Sequence, residues 1–497
     1  MRQPSRRLAA RANFIGNVAT ILISAGQAVL LMPLCVEQLG TRVYGAWLGA
    51  TELLAWIQLL DFGIPNLMAQ RIGAAIGKGD HAECGRWFAT GLAMIGVIAG
   101  VLLCAGLFLG PVVTQWADVP HAESSRFTVC FRVGVAANVV LLLFNTFVSL
   151  AWGFQRTGFV NLASVLGASV GLMVSVTLLV GGWGLWALAA GLAVRAAIVM
   201  LAGLVFAAGL LRRRELTLTL DHPVFDEVLS LLPPMTAANV GYLLAHHSEI
   251  VLVTTVFGPA IALIYAVTRR VADGLRSLLD SIAWAVYGGF AHLASDDRQR
   301  AREVLTEILS LRFAAACLCA AVYVAVNEGF VTLLFGPENF GGVSLTVAFA
   351  VQMIAGGQSF LINYLYRAAG RVREGSWWLA GEAAVRVSTV FLALRAGWLA
   401  APPVAATLTA SAVGVVIFGR LKAILPANQE SGGETRRSVG ALAVLAVGIA
   451  IAIRQPEPSW TAVVVTAALL IAAGGALLLG MQPAESRVRF LSAWIKT

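Results

Sequence analysis

Charge is what this sequence has least of. Asp, Glu, Lys and Arg make up 12% of its 497 residues against 59% hydrophobic ones, a balance that excludes a soluble chain of two or three domains. Cysteine is equally sparse. The six are Cys35, Cys84, Cys104, Cys130, Cys317 and Cys319, and since no external segment holds a pair to oxidise, they read as small core residues rather than a disulfide framework. Cys317 and Cys319 have no His or further Cys at ligand spacing, so a metal site is not expected. No basic run is interleaved with aromatics, so the net charge of +9 does not gather into a nucleic-acid patch. No segment between apolar runs is longer than about 20 residues, which leaves no room for a folded catalytic domain. Neither an enzyme nor a bound cofactor is expected.

What the chain does have is a succession of apolar runs. They fall at roughly 13–36, 44–63, 87–111, 127–150, 160–181, 185–210, 231–257, 261–290, 312–333, 343–366, 376–396, 398–419, 439–453 and 459–481. Most are near the ~20 residues that cross a ~30 Å hydrocarbon core as a helix. Backbone groups in lipid must be satisfied within their own segment, so the sequence predicts an all-α integral membrane protein of about 14 transmembrane helices. Met1 to Arg11 carries four Arg and could serve a signal peptide, but 13–36 is too long for a signal core and lacks a small-residue cleavage site. It reads as the first span.

With the N-terminus inside, cytoplasmic segments hold 25 Lys and Arg and external ones only Arg42, Arg126, Arg395 and Arg454. That asymmetry predicts both termini in the cytoplasm. Trp87, Trp116, Trp152, Trp183, Trp186, Trp377, Trp378, Trp398 and Trp460 lie near span ends, as an interfacial belt requires. Leu293 to Leu311 mixes charge with Val304, Leu305, Ile308 and Leu309 and reads as a helix lying along the inner surface.

The first twelve spans divide into two sixes: an N-lobe over 1–210, a C-lobe over 211–425, and a C-terminal helix pair over 426–497. Leu39-Gly40 precedes Tyr44 at the first turn, and Phe257-Gly258 precedes Tyr265 at the matching turn of the second half. An Ala-rich inner helix follows each, around 69–82 and 291–301. Parallel repeats of this kind place a substrate path between two lobes.

Six arginines remain at membrane depth: Arg132, Arg195, Arg269, Arg270, Arg276 and Arg386. The acids there are Glu52, Glu249, Asp273, Asp280, Glu328 and Glu382, with His246 and His247. A guanidinium at the bilayer centre costs at least ~3 kcal/mol, so these groups face protein or water. In the eighth span Tyr265, Arg269, Asp273, Arg276, Asp280 and Tyr287 fall within an arc of roughly 80°, with Trp284 at its edge. The stripe reads as a wall of a hydrated cavity or as a buried ladder of i,i+4 ion pairs. Glu382 and Arg386 are placed to neutralise each other. Arg132 and Arg195 have no acid nearby in their own spans and suit phosphate, or a structural partner on another helix. For His246, His247 and Glu249 the functional reading is coupling to H+ or Na+, and the alternative is a hydrogen-bonded structural pair. Glu52 is open in the same way. Asn17, Gln27, Asn138, Asn145, Asn239 and Asn363 could bind sugar hydroxyls or hydrogen-bond between helices.

At Leu39-Gly40-Thr41-Arg42-Val43-Tyr44-Gly45-Ala46-Trp47, Asp61-Phe62-Gly63-Ile64 and Gly79-Asp80, the chain resembles the O-antigen and exopolysaccharide flippases. These form the polysaccharide transporter branch of the multidrug/oligosaccharidyl-lipid/polysaccharide exporter superfamily. The likeness continues through Glu249-Ile250-Val251, Phe257-Gly258, Tyr265 and Leu334-Phe335-Gly336. It implies two six-helix lobes around a V-shaped cavity in the bacterial inner membrane. It also implies alternating-access transport of an undecaprenyl-diphosphate-linked oligosaccharide from the cytoplasmic to the periplasmic leaflet, for surface polysaccharide export. The expected partners are that lipid-linked glycan, the surrounding membrane lipids, and a polysaccharide polymerase and co-polymerase. Cavity cations of the family match Arg132, Arg195, Arg269, Arg270 and Arg276 by kind. Glu52, His246, His247, Glu249, Asp273 and Asp280 are the cavity or coupling candidates. Members often carry Asp where this chain has Glu249, and the two added helices resemble those of peptidoglycan-precursor flippases. A multidrug antiporter of the same superfamily and a membrane-embedded glycan polymerase or ligase are the competing readings.

Overall fold

The computed structural model describes residue 26 and residues 30–480, apart from 155, 214–215, 426–432 and 454–457. Most of the first expected span, Asn17, Gln27, both basic chain ends and Arg454 lie outside the described residues, as do the side chains of His246, Trp284 and Tyr287. Every regular element described is helical. The chain divides into two compact units, Met1–Leu263 and Ile264–Thr497. That division falls one helix pair later than the 210/211 boundary expected from the sequence.

In the first unit, α1 (Met32–Leu59) is two helices joined across Gly40, at φ 75° and ψ 162°. Gly258, at φ 82° and ψ 174°, ends α8 (Glu249–Phe257) in nearly the same conformation. Only glycine adopts this region without strain. Tyr44 and Tyr265, which follow the two breaks, are both buried. The echoed dipeptides therefore mark one backbone device used twice.

The next helix, α2 (Ile64–Lys78), is bracketed by Gly63 and Gly79, both at positive φ. Asp61 Oδ1 accepts from Gly63 N–H at 2.8 Å. Asp80 caps α3 (His81–Trp116), accepting from Glu83 N–H at 2.8 Å. The Asp-Phe-Gly-Ile motif thus opens α2, and Gly-Asp closes α2 and opens α3, with each Asp accepting from one N–H at a helix start. Helices α4 (His121–Gly153), α5 (Thr157–Val180), α6 (Leu185–Arg212) and α7 (His222–His247) complete this unit with α8. The segment before α7 is tied to α3, where Asp221 N–H donates to Thr90 Oγ1 and its carboxylate meets Arg86 Nε, each at 3.0 Å.

The second unit begins within α9 (Pro259–Asp296) and continues through α10 (Arg298–Phe335), α11 (Val343–Val351), a π-helical turn over Gln352–Gly356, α12 (Gly357–Ala368), α13 (Val372–Arg395), α14 (Ala401–Ile424), α15 (Gly433–Ile453) and α16 (Trp460–Gly480). The surface helix expected over 293–311 is not a separate element. Asp297 caps α10, accepting from Arg300 N–H at 3.0 Å, and 298–311 is the first third of that helix. Its apolar face, Ala301 and Leu305, meets Leu361, Ile417 and Leu421. Protein, rather than lipid headgroups, covers it. The second inner helix, expected over 291–301, is likewise divided between α9 and α10.

The C-terminal pair packs on α10. Ala314 and Cys317 meet Ala441, while Val322, Ala325 and Val326 meet Leu470. These small residues let the helices approach closely, the packing mode available where lipid removes the hydrophobic drive. Helix α15 has 21 residues, or ~31 Å, so it outlasts its short apolar run.

Among the described residues nine helices are long and apolar enough to cross a membrane. Helix α9 falls short of that because of the arginines and aspartates of its polar stripe. Outward apolar side chains such as Phe108, Met173, Leu392 and Val415 suit a lipid solvent. Trp152, Trp183, Trp186, Trp377, Trp398 and Trp460 are exposed near helix ends, whereas Trp87 is buried beneath the Arg71 guanidinium. The ion pairs of the inter-helix segments keep to one side. Arg42 pairs with Asp118, both from expected external segments, and Arg71–Glu227, Arg86–Asp221 and Arg420–Glu374 each join two expected cytoplasmic residues.

Candidate functional site

Within the first unit, the carboxylate of Glu52 on α1 meets His247 Nδ1 at the end of α7, 2.8 Å apart. One turn on, Trp56 Nε1 donates to the His247 carbonyl at 3.1 Å. The chain breaks at Ser248 between α7 and α8, so this pair holds α1 to a helix end whose carbonyls need donors. Glu249, the next residue, is buried. Sequence reading singled out Glu52, His247 and Glu249, and the structure brings Glu52 and His247 together.

Arg132 on α4 has its partner on another helix. Its Nε donates to the Leu107 carbonyl of α3 at 3.0 Å. Pro111 lies inside α3 and has no N–H to give the carbonyl four residues back. The arginine supplies the missing donor. Arg195 on α6 lies against Gly171 of α5, and no hydrogen-bond or ion-pair partner for its guanidinium occurs among the described residues.

In the second unit the α9 stripe forms as an i,i+4 ladder. Arg269 Nε donates to both Asp273 oxygens, at 2.8 and 2.7 Å, and Arg276 Nε lies 3.6 Å from Asp280 Oδ2. Tyr265 is buried edge-on against Phe349. Arg270, beside the ladder, has no partner among the described residues. Below it Tyr323 donates to the Thr268 carbonyl at 2.9 Å, and Asn327 donates to Thr346 Oγ1 at 3.1 Å.

One charge was misplaced by the sequence. Arg312, counted with the cytoplasmic segments, has 0% side-chain exposure and donates from Nη2 to Asp280 Oδ1 at 2.9 Å. Two guanidinium groups therefore share one carboxylate. A doublet at Gly356-Gly357, in an apolar run needing no turn, was the available signal. A methyl on Gly357 would lie 2.1 Å from Arg312 Nη2. Glu382 and Arg386 do pair, at 2.7 Å, and Thr409 Oγ1 donates to the same Glu382 oxygen at 2.7 Å.

Residues 94–340 match a family model described as polysaccharide biosynthesis protein. The match takes in the motifs from Glu249 to Gly336 and supports the resemblance to a polysaccharide flippase family. Among curated proteins, none matches this sequence. Solved structures share its fold. The lipid II flippase MurJ, in an inward closed conformation, superposes with a TM-score of 0.69 at 9% identity, covering 95% of this chain and 98% of its own. An inward-facing multidrug resistance MATE family transporter of the MOP superfamily gives 0.64 at 13% identity, covering 81% and 94%. The Vibrio cholerae MATE transporter VcmN gives 0.61 at 12%, covering 84% and 97%. At these identities the likeness is one of fold. The MurJ match leaves about 25 residues of this chain uncovered, fewer than α15 and α16 contain, so it reaches into the C-terminal pair.

Proposed function

We propose that this chain is a flippase that carries a polyprenyl-diphosphate-linked oligosaccharide from the cytoplasmic to the periplasmic leaflet of a bacterial inner membrane by alternating access. The observation that carries the reading is a surplus of interior cation. Neither Arg195 nor Arg270 has a hydrogen-bond or ion-pair partner among the described residues. Uncompensated guanidinium at membrane depth is costly, and a diphosphate accepts two parallel charge-assisted bonds from each planar fork. Arg132, Arg195, Arg269, Arg270 and Arg276 are the proposed headgroup contacts, with Arg132 and Arg269 exchanging their present partners for phosphate.

The polysaccharide family match and the fold shared with a lipid II flippase support this reading. Both termini would lie in the cytoplasm, the polyprenyl tail would stay in lipid, and a polysaccharide polymerase and co-polymerase would take the delivered glycan. Coupling to H+ or Na+ would act through Glu52, His246, His247 and Glu249, with Asp273 and Asp280 lining the path. The test is transfer of an undecaprenyl-diphosphate glycan across the bilayer of liposomes containing the purified protein. Transfer no faster than in protein-free liposomes refutes the proposal.

The MATE likeness favours a second reading, export of small organic cations. Cations prefer an acid-lined path, which this surplus of arginine opposes. Efflux of a cationic dye without glycan transfer would decide for it.

A further inference from the structure

Where α12 turns into α13, the second unit carries more positive charge than its ion pairs use. Arg367, Arg371 and Arg373 flank the turn, and Glu374 is the one acid over 364–378. That carboxylate is taken twice. Tyr366 Oη donates to Oε2 at 2.6 Å, and Arg420 of α14 pairs with Oε1. The adjacent start of α10 has no acid to spare, because residues 297–307 set three arginines against Asp297, Glu303 and Glu307.

The surplus does not serve the fold. Arg371 is the N-cap residue of α13 and Arg373 lies in its first turn, where cations oppose the helix dipole. Both are exposed, and neither side chain has a partner among the described residues. Arg367 lays its stem on Gly375, where a methyl would come within 2.6 Å of Cγ. Its buried Nε has no hydrogen-bond partner among the described residues.

The position of the surplus identifies what meets it. Helices α13 and α14 are both long and apolar enough to cross a membrane. Arg373 and Trp377, one turn apart, begin an exposed face of α13 that continues through Gly381, Ala384, Ser388 and Leu392. Ser388 turns its hydroxyl back to the Ala384 carbonyl at 3.0 Å, which satisfies it without water, as lipid exposure requires. Trp377 is 56% exposed, and the Arg420 guanidinium lies 5.4 Å from the centre of the Trp378 ring. Tryptophan at a span end marks headgroup depth, and clustered arginines at that depth attract anionic lipid. We propose that Arg371 and Arg373 form a docking site for the phosphate of an anionic phospholipid, with Trp377 beside its headgroup. The lipid supplies the negative charge that the start of α13 lacks, whatever substrate the protein carries.

The test follows the melting temperature of the full-length protein in detergent as phosphatidylglycerol is added to the micelles, against added phosphatidylcholine and against inorganic phosphate. Phosphatidylglycerol is expected to raise it, and the other two are not. Arg373→Gln should need about fivefold more phosphatidylglycerol for the half-maximal rise, and Arg371→Gln/Arg373→Gln about twenty-five-fold more. In phosphatidylcholine the double variant should melt no lower than the parent, since it removes cations from a helix start. Arg298→Gln/Arg300→Gln, at two exposed arginines of the balanced α10 segment, should respond as the parent does. Four results overturn the proposal. One is a parent that phosphatidylglycerol does not stabilise, or a folded double variant with an unchanged half-maximal amount. A second is a double variant equally destabilised in both lipids, which makes the arginines structural. A third is the same loss of response in Arg298→Gln/Arg300→Gln, which makes the attraction diffuse. The last is inorganic phosphate reproducing the rise, which makes the ligand a soluble anion.

Discussion

Arg132 Nε sits 3.0 Å from the Leu107 carbonyl, the one carbonyl of α3 that Pro111 leaves without a helical donor. An arginine on one helix completes the backbone of another. Arg132→Ala should destabilise the protein by roughly 1–3 kcal/mol, the usual cost of stranding a polar group away from water. In Pro111→Ala the new N–H bonds Leu107 directly, so Arg132→Ala should then cost less than half as much. Thermal unfolding of the four proteins in detergent measures both steps, and glycan transfer by Pro111→Ala/Arg132→Ala tells whether Arg132 is also needed for substrate.

Glu52 and His247 should behave as one unit. Each substitution, Glu52→Gln or His247→Ala, strands the other partner, and the pair should couple by about 1 kcal/mol in a double-mutant cycle. Chemical denaturation of the four proteins gives that energy. If the pair also couples transport to an ion gradient, Glu52→Gln transfers glycan at the same rate with and without an imposed proton gradient, while the parent does not.

The repeated break at Gly40 and Gly258 gives a paired test. Alanine at either should cost about 1–2 kcal/mol, although a methyl at either would lie in open space. Gly100, on α3 with equally open surroundings, is the control. Gly100→Ala should be stabilising by roughly 0.5–1 kcal/mol. Melting temperatures of the three variants compare backbone conformation with crowding excluded.

Cysteine reactivity should follow burial. Cys104 is exposed, whereas Cys35, Cys84, Cys130 and Cys317 are buried. A membrane-permeant maleimide should label Cys104 in the folded protein within minutes, and the other four only as the protein unfolds. Mass spectrometry of timed digests identifies each site.

Spans were legible because length and apolarity are local properties. The same holds for the i,i+4 pairs: Arg269 with Asp273 and Glu382 with Arg386 needed only helical spacing. Arg312 was not legible, since an arginine at the edge of an apolar run looks like a loop residue until the helix around it, 38 residues long, is known. Nor was the partner of Arg132, which is a carbonyl and leaves no acidic residue to find. Pro111 pointed to it, because a proline always frees the carbonyl one turn before it. The surface helix at 293–311 failed for a related reason. Amphipathic spacing reports that a face is covered but does not say whether lipid or protein covers it.

The turn over Gln352–Gly356 contains one residue more than a regular α-helical stretch of the same rise. Beyond it Asn363 reaches the Gly375 carbonyl and Tyr366 reaches Glu374, while before it Thr346 receives the amide of Asn327. Deleting a single residue there would turn the stretch into regular α-helix of nearly the same rise and rotation, so the side chains beyond it would keep their neighbours. The extra residue is therefore taken up within the turn itself, and each half of the helix holds its own set of neighbours.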